Sequence, residues 1–144
     1  MVVKLYPSQV SAAWDYIGGI IEMSLPPNVT ASHYGMTNIL ISVMKEQLEV
    51  FMLTDEKMKT PIAVFSLSVE EDKHTLERNL LIYSFSAVGH LKPSGMDEVF
   101  SWVKDYARQL EVKNVIAFVE DDKIKNYLKR LGANSDYTLM EFKL

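Results

Sequence analysis

Residues 80–132 limit what this chain can become more than any other stretch. Two short apolar runs, 80–85 and 114–119, flank a loop and an amphipathic helix expected over 97–110. A second helical pattern follows over 122–131, and Gly132 stops it. Two strands joined through a helix form a parallel pair with a right-handed crossover. Open sheets bind ligands beyond the carboxyl ends of such strands. A small-molecule site is therefore expected where 80–85 passes into the loop 86–96.

The remaining strand signals are antiparallel in character. Residues 48–53, 62–69 and 75–85 read as strands, linked by the polar connection 54–60 and the charged turn Glu70-Glu-Asp-Lys-His74. They predict a meander. Ahead of them, 2–6 reads as a first strand ended by Pro7. Ser8 is the expected N-cap of one helix carrying Val10, Ala13, Trp14, Ile17 and Ile21 at helical spacing. Gly18-Gly19 inside it implies close packing, a local kink or a hinge. Leu25-Pro-Pro27 ends this helix, because proline lacks a donor and restricts its predecessor. Thr30 or Ser32 caps the next helix, whose stripe is Met36, Ile39, Leu40, Val43 and Met44. Residues 137–144 alternate, with Thr138, Met140, Phe142 and Leu144 on one face, and are expected as a last strand in the sheet. The element order is β-α-α-β-β-β-α-β-α-β. The fold class is α+β, a mixed central sheet with helices on both faces, in one domain spanning 1–144.

Composition narrows the function classes. A net charge of −4 speaks against a nucleic-acid partner, which selects for a basic face. The absence of cysteine removes disulfides, thiolate nucleophiles and thiolate metal sites, and fits a reducing compartment. His33, His74 and His90 show no metal-ligand spacing, so no metal is expected. No apolar run reaches the ~20 residues of a membrane helix, and the first residues lack a signal-peptide pattern. A cytoplasmic chain without membrane contact is expected.

The order of elements, together with Val115-Ile-Ala-Phe-Val-Glu-Asp-Asp-Lys-Ile-Lys-Asn-Tyr-Leu-Lys-Arg-Leu-Gly132, resembles the fifth strand and fourth helix of the GNAT N-acetyltransferase family. Trp14 and Ser24-Leu25-Pro26 are similar to small acetyltransferase-like proteins of tailed bacteriophages, which implies a host-cytoplasmic or virion setting. The resemblance implies acetyl-CoA as cofactor, held where the fourth and fifth strands part. It places Phe85, Ser86, Gly89, Lys92, Ser94, Gly95 and Met96 along the cofactor, with Tyr127 as the tyrosine nearest the family's general-acid position.

The chain departs from the family pattern at these positions. Gly89-His-Leu-Lys-Pro-Ser-Gly-Met96 contains no R/Q-x-x-G-x-G/A motif. Pro93 removes a donor, and Asp97 and Glu98 are expected in the helix's first turn, where they would repel a pyrophosphate. Leu128 fills the tyrosine slot, and Tyr127 lies one place earlier, about 100° round the helix. Asp121 and Ile124 take the asparagine and alanine slots. The residues 80–85 supply Tyr83 and Ser84 but no carboxylate. Two readings follow: an acyl-CoA N-acyltransferase with a degenerate acetyl-CoA loop, or a non-catalytic module that uses the same scaffold to bind a protein partner or a second copy.

Overall fold

Five strands form a single sheet in the order β1-β2-β3-β4-β5, in a computed structural model that describes residues 1–144. The strands are β1 (Val2–Leu5), β2 (Glu49–Thr54), β3 (Pro61–Glu71), β4 (Arg78–Ala87) and β5 (Asn114–Ala117). The first four pair antiparallel, and β5 joins β4 in parallel. The sheet is therefore mixed and the class α+β, as expected.

Strand alternation sorts the core into two layers. Val50 and Val64 face one side and Phe51 and Phe65 the other, because successive side chains of a strand point oppositely. On the first side lie α1 (Pro7–Ala12), α2 (Trp14–Glu22) and α3 (His33–Met44), which bury Val10, Ile17, Ile21, Ile39 and Val43. On the second lies α4 (Pro93–Gln109), whose Val99, Val103 and Ala107 pack on Phe51, Phe65 and Leu80. Each buried Val, Ile, Leu or Phe among these contributes about 1.5–3 kcal/mol of transfer free energy. The last helix, α5 (Asp122–Arg130), buries none of its residues. Asp121 caps it by accepting from the N–H groups of Lys123 and Ile124 at 2.7 and 3.2 Å. Gly132 ends it at φ 97°, with Ala133 N–H donating to Leu128 O at 3.0 Å. That left-handed exit is where glycine carries no Cβ penalty.

Several elements differ from the sequence reading. The first helix is two helices, because Ala13 leaves helical angles at φ −110°, ψ 25°. The N-cap is Tyr6 rather than Ser8. Pro7 occupies the first helical position, where its missing donor costs nothing, and the Gln9 side chain accepts from Tyr6 N–H at 2.8 Å. Gly18 is a packing glycine: a Cβ there would come 2.8 Å from the Trp14 indole. Ser32, the second of the two expected caps, accepts from Gly35 N–H at 2.9 Å. β4 runs on to Ala87, so Ser86 lies in a strand and not in a loop. The segment 137–144 is not in the sheet. It forms no hydrogen bond, and Tyr137, Met140 and Phe142 are 90%, 82% and 93% exposed. Period-two alternation fits a strand, but whether a strand forms depends on the surface it packs against.

Candidate functional site: the parting of β4 and β5

β4 and β5 pair over only four residues, from Asn79 opposite Asn114 to Ile82 opposite Ala117. β4 then continues for five more residues with β3 on one side and no strand on the other. In such a strand alternate N–H and C=O groups turn to the open side. The parting begins at a β-bulge. Ser66 lies opposite Ser84 and Leu67 opposite Ile82, so Tyr83 is an extra residue on β4. A bulge bends its strand and re-aims side chains.

Residues 88–92 lead from β4 into α4, which starts four residues earlier than the sequence suggested, with Gly95 against Leu53 of β2 and Phe100 against Phe85 of β4. Lys92 is the N-cap residue and Pro93 the first helical residue. Pro93 therefore sacrifices only a donor that a helix leaves orphaned anyway. No acidic residue lies in the first turn. Asp97 and Glu98 belong to the next turn and not, as expected, to the first; there Asp97 accepts from Tyr127 and Glu98 pairs with the N-terminal amine. Gly95 N–H and Met96 N–H donate back to Lys92 O at 2.9 and 3.2 Å. Ser94 N–H has no acceptor within the chain. The exposed Lys92 side chain and this free donor give the helix start positive character.

The expected cofactor positions fall on three elements: β4, the loop after it and the first turn of α4. Phe85 stacks between Phe65 and Phe100, each at 6.2 Å between ring centroids. Lys92, Ser94 and Met96 stand on the first turn of α4. Ser86 is buried and donates to Ile20 O at 3.2 Å, so its hydroxyl faces α2. Gly89 continues the bonding to β3, its N–H donating to Ile62 O at 3.1 Å, and a Cβ there would lie 3.2 Å from Pro61 O. Gly95 turns its missing side chain inward, where a Cβ would meet Leu91 at 3.0 Å and Leu53 at 3.4 Å. Both glycines thus let backbone pack against the body of the protein.

Tyr127 connects the two helices beside the opening. Its ring lies 6.2 Å from Phe100, and its hydroxyl donates to the Asp97 carboxylate. Burial first, then the Asp97 hydrogen bond, pushes the phenol up to about 12. A hydroxyl so placed holds its proton and ties α5 to α4.

On the opposite face the bulge sets Tyr83 into two adjoining hollows of about 230 and 390 Å³, which share Ile39, Ser42 and Tyr83. Glu70 and Ser68 line the larger one, and Ser68 donates to Glu70 at 3.0 Å. Burial raises the Tyr83 hydroxyl above its ordinary range. The sequence reading set Glu70 in a charged turn. The strand register brings it to the same hollow as Tyr83, and no local pattern announces the bulge that does so. No group of His, Asp and Glu side chains is arranged to hold a metal ion, and no helix is long and apolar enough to cross a membrane.

No protein-family model matches the chain, and no curated protein matches it in sequence. Solved structures do match. A ribosomal-protein-alanine N-acetyltransferase from Brucella melitensis biovar Abortus 2308 is similar with a TM-score of 0.69 at 7% identity, covering 100% of this chain and 99% of that one. An aminoglycoside 6'-N-acetyltransferase from Acinetobacter baumannii gives 0.68 at 12% identity, covering 100% and 97%. A glucosamine-6-phosphate N-acetyltransferase from Arabidopsis thaliana gives 0.66 at 13% identity, covering 99% and 97%. At these identities the likeness establishes the GNAT acetyltransferase fold.

Proposed function

We infer that the chain binds a CoA thioester at the parting of β4 and β5 and transfers its acyl group to an acceptor seated beside Tyr83. The observation that carries this is the four-residue β4–β5 pairing, beyond which residues 83–87 offer an unpaired backbone edge. Three features fit the cofactor. The free edge suits the amides of a pantetheine arm, which would extend the sheet as a further strand does. Lys92 and the free Ser94 N–H suit phosphate oxygens at a helix start. The first turn of α4 carries no opposing carboxylate. Acetyl-CoA, when bound, supplies an activated acyl group.

The chain's own residues do the rest. The β4 edge orients the thioester, and α4 anchors the charged end. The hollow at Ile39, Ser42 and Tyr83 opens on the other face of the same bulge, so an acceptor enters from the side away from α4. Glu70 at its rim is the carboxylate available to take a proton, directly or through water.

One observation favours a second reading, binding without transfer. The Tyr127 hydroxyl is engaged by Asp97, and its neighbour Leu128 has none, so neither residue offers a free acid toward the opening. The bacteriophage-type setting, with a virion or host-factor partner, belongs with this reading and rests on Trp14 and Ser24-Leu25-Pro26.

The test is a titration of acetyl-CoA at low salt, followed by thermal unfolding and by amide resonances. Binding should raise the unfolding temperature, shift the resonances of residues 83–87 and 92–96, and weaken several-fold in Lys92→Glu. That weakening should shrink with added salt because the site is exposed. No shift in those segments at millimolar acetyl-CoA would end the cofactor reading. Binding without thiol release across a panel of amines would select the second reading.

A further inference from the structure

Charge is spread unevenly over the two hollows that meet at Tyr83. The smaller is walled by Leu25, Val29, Met36 and Ile39, and its polar lining is uncharged. In the larger, Glu70 is the one charged side chain. No lysine, arginine or histidine lines either hollow. Glu70 Oε1 accepts from Ser68 at 3.0 Å, Oε2 has no donor within the chain, and Glu70 enters no ion pair.

We propose that these hollows select a small primary monoamine with an apolar, uncharged body, an inference that rests on reading them as the acceptor site. The ammonium end lies at Glu70, and the body lies against Leu25 and Met36. Each part has a physical reason. A free carboxylate oxygen with no partner suits one cation. A carboxylate or phosphate on the body would lose water among apolar side chains with no cation to meet it, which is costly. A second ammonium would find no second carboxylate. An apolar body gains by covering Leu25, Met36 and the Tyr83 ring. The hollows, about 230 and 390 Å³, suit a small molecule.

The transfer balances on these groups. The ammonium gives one proton to Glu70, directly or through water. The amine lone pair then forms the C–N bond as the C–S bond of the thioester breaks. The nitrogen's second proton goes to the leaving sulfur, which yields an amide and a free thiol, and the Glu70 proton returns to solvent.

The experiment titrates phenethylamine, free phenylalanine, hexylamine and hexamethylenediamine, first without acetyl-CoA. It follows the amide resonances of Ile39, Ser42, Val69 and Tyr83, which both monoamines should shift. Phenylalanine adds a carboxylate to phenethylamine, and the diamine adds an ammonium to hexylamine. Each should bind about tenfold more weakly than its monoamine partner, the worth of one charged-group contact. Glu70→Gln should weaken phenethylamine by about the same factor and leave uncharged phenylethyl alcohol unchanged. Asn38→Lys, an exposed substitution in the smaller hollow, should narrow the gap by admitting phenylalanine. Phenylalanine or the diamine binding as tightly as its partner overturns the proposal. So does a Glu70→Gln chain that holds phenethylamine as before, or a parent whose resonances neither monoamine shifts. With acetyl-CoA added, thiol release should follow the same order of amines. Selective amine binding without thiol release would refute the transfer reading alone and uphold the selectivity of the hollows.

Discussion

Glu49 holds three elements together, and removing it should loosen the helix that bears the candidate site. One carboxylate oxygen accepts from the Tyr106 hydroxyl of α4 at 2.6 Å, and the other from Lys4 Nζ of β1 at 2.7 Å. The two bonds differ in worth. The Tyr106 hydroxyl is half-buried, so a charge-assisted bond there contributes about 1.5–3 kcal/mol. Lys4 is a third exposed along its side chain, and its pair contributes about 0.5 kcal/mol after screening. Glu49→Ala should therefore cost about 2–3 kcal/mol. Glu49→Gln keeps an acceptor for Tyr106 and should cost about 1 kcal/mol. Tyr106→Phe should cost about 1–2 kcal/mol.

The assay is urea unfolding of these variants and of the Glu49→Ala, Tyr106→Phe double variant. The cycle should return a coupling of about 1 kcal/mol or more. Trp102 stacks on Tyr106 at 5.0 Å, so its fluorescence in a Trp14→Phe background should report the loosened seat of α4 below the unfolding transition. Additivity within about 0.3 kcal/mol, with Trp102 emission unmoved, would refute the claim that Glu49 seats α4.

Further outcomes follow from other parts of the molecule. Gly18→Ala should destabilise by about 1–2 kcal/mol, because the new Cβ meets the Trp14 ring at 2.8 Å. Gly19→Ala meets nothing within 4 Å and should stabilise the helix by about 0.5–1 kcal/mol; chemical denaturation compares the pair. At high pH, Lys4 is raised chiefly by its Glu49 hydrogen bond, and Tyr106 and Tyr127 chiefly by burial. Groups raised on folding stabilise fully below their ordinary values and lose that contribution as pH climbs through the raised ones. Unfolding temperature should thus fall above about pH 10, and less steeply in Tyr106→Phe. At low pH the sign reverses. Asp55 and Asp72 are lowered by backbone N–H donors, first those of Met58 and Thr75. Their contribution is present above the ordinary aspartate value and lost as pH falls through the lowered ones, so Asp55→Asn with Asp72→Asn should flatten the acid limb of the stability profile.

Most of the scaffold was legible because burial writes a period into sequence. The β4-α4-β5 unit, the meander and the stop at Gly132 all follow from apolar spacing and local turn chemistry. What escaped were features set by partners distant in sequence. The start of α4 was misplaced because Pro93 looks like a breaker until it is seen at the first helical position. Ser86 was read as loop because nothing local shows that β3 keeps pairing as far as Ala87. The inward-facing Gly89 and Gly95 were assigned to a ligand, since a glycine's need for space does not say on which side the space lies. The segment 137–144 shows the same limit: its alternation is real, but no strand of the sheet pairs with it.

The extra residue at Tyr83 has a consequence for how this gene can vary. Upstream of it, Leu80 and Ile82 point toward α4. Downstream, Phe85 does, while Ser84 and Ser86 point toward α2. Tyr83 thus acts as a phase marker along β4. Deleting one codon there would restore strict alternation and keep both faces: Ile82 and Phe85 would still point toward α4, and Ser84 and Ser86 toward α2. What would be lost is the bend of the strand and the aim of Tyr83, not the sorting of the core. Relatives diverged beyond sequence recognition can therefore differ by one residue at this point of the strand and still agree on which side chains lie beneath α4.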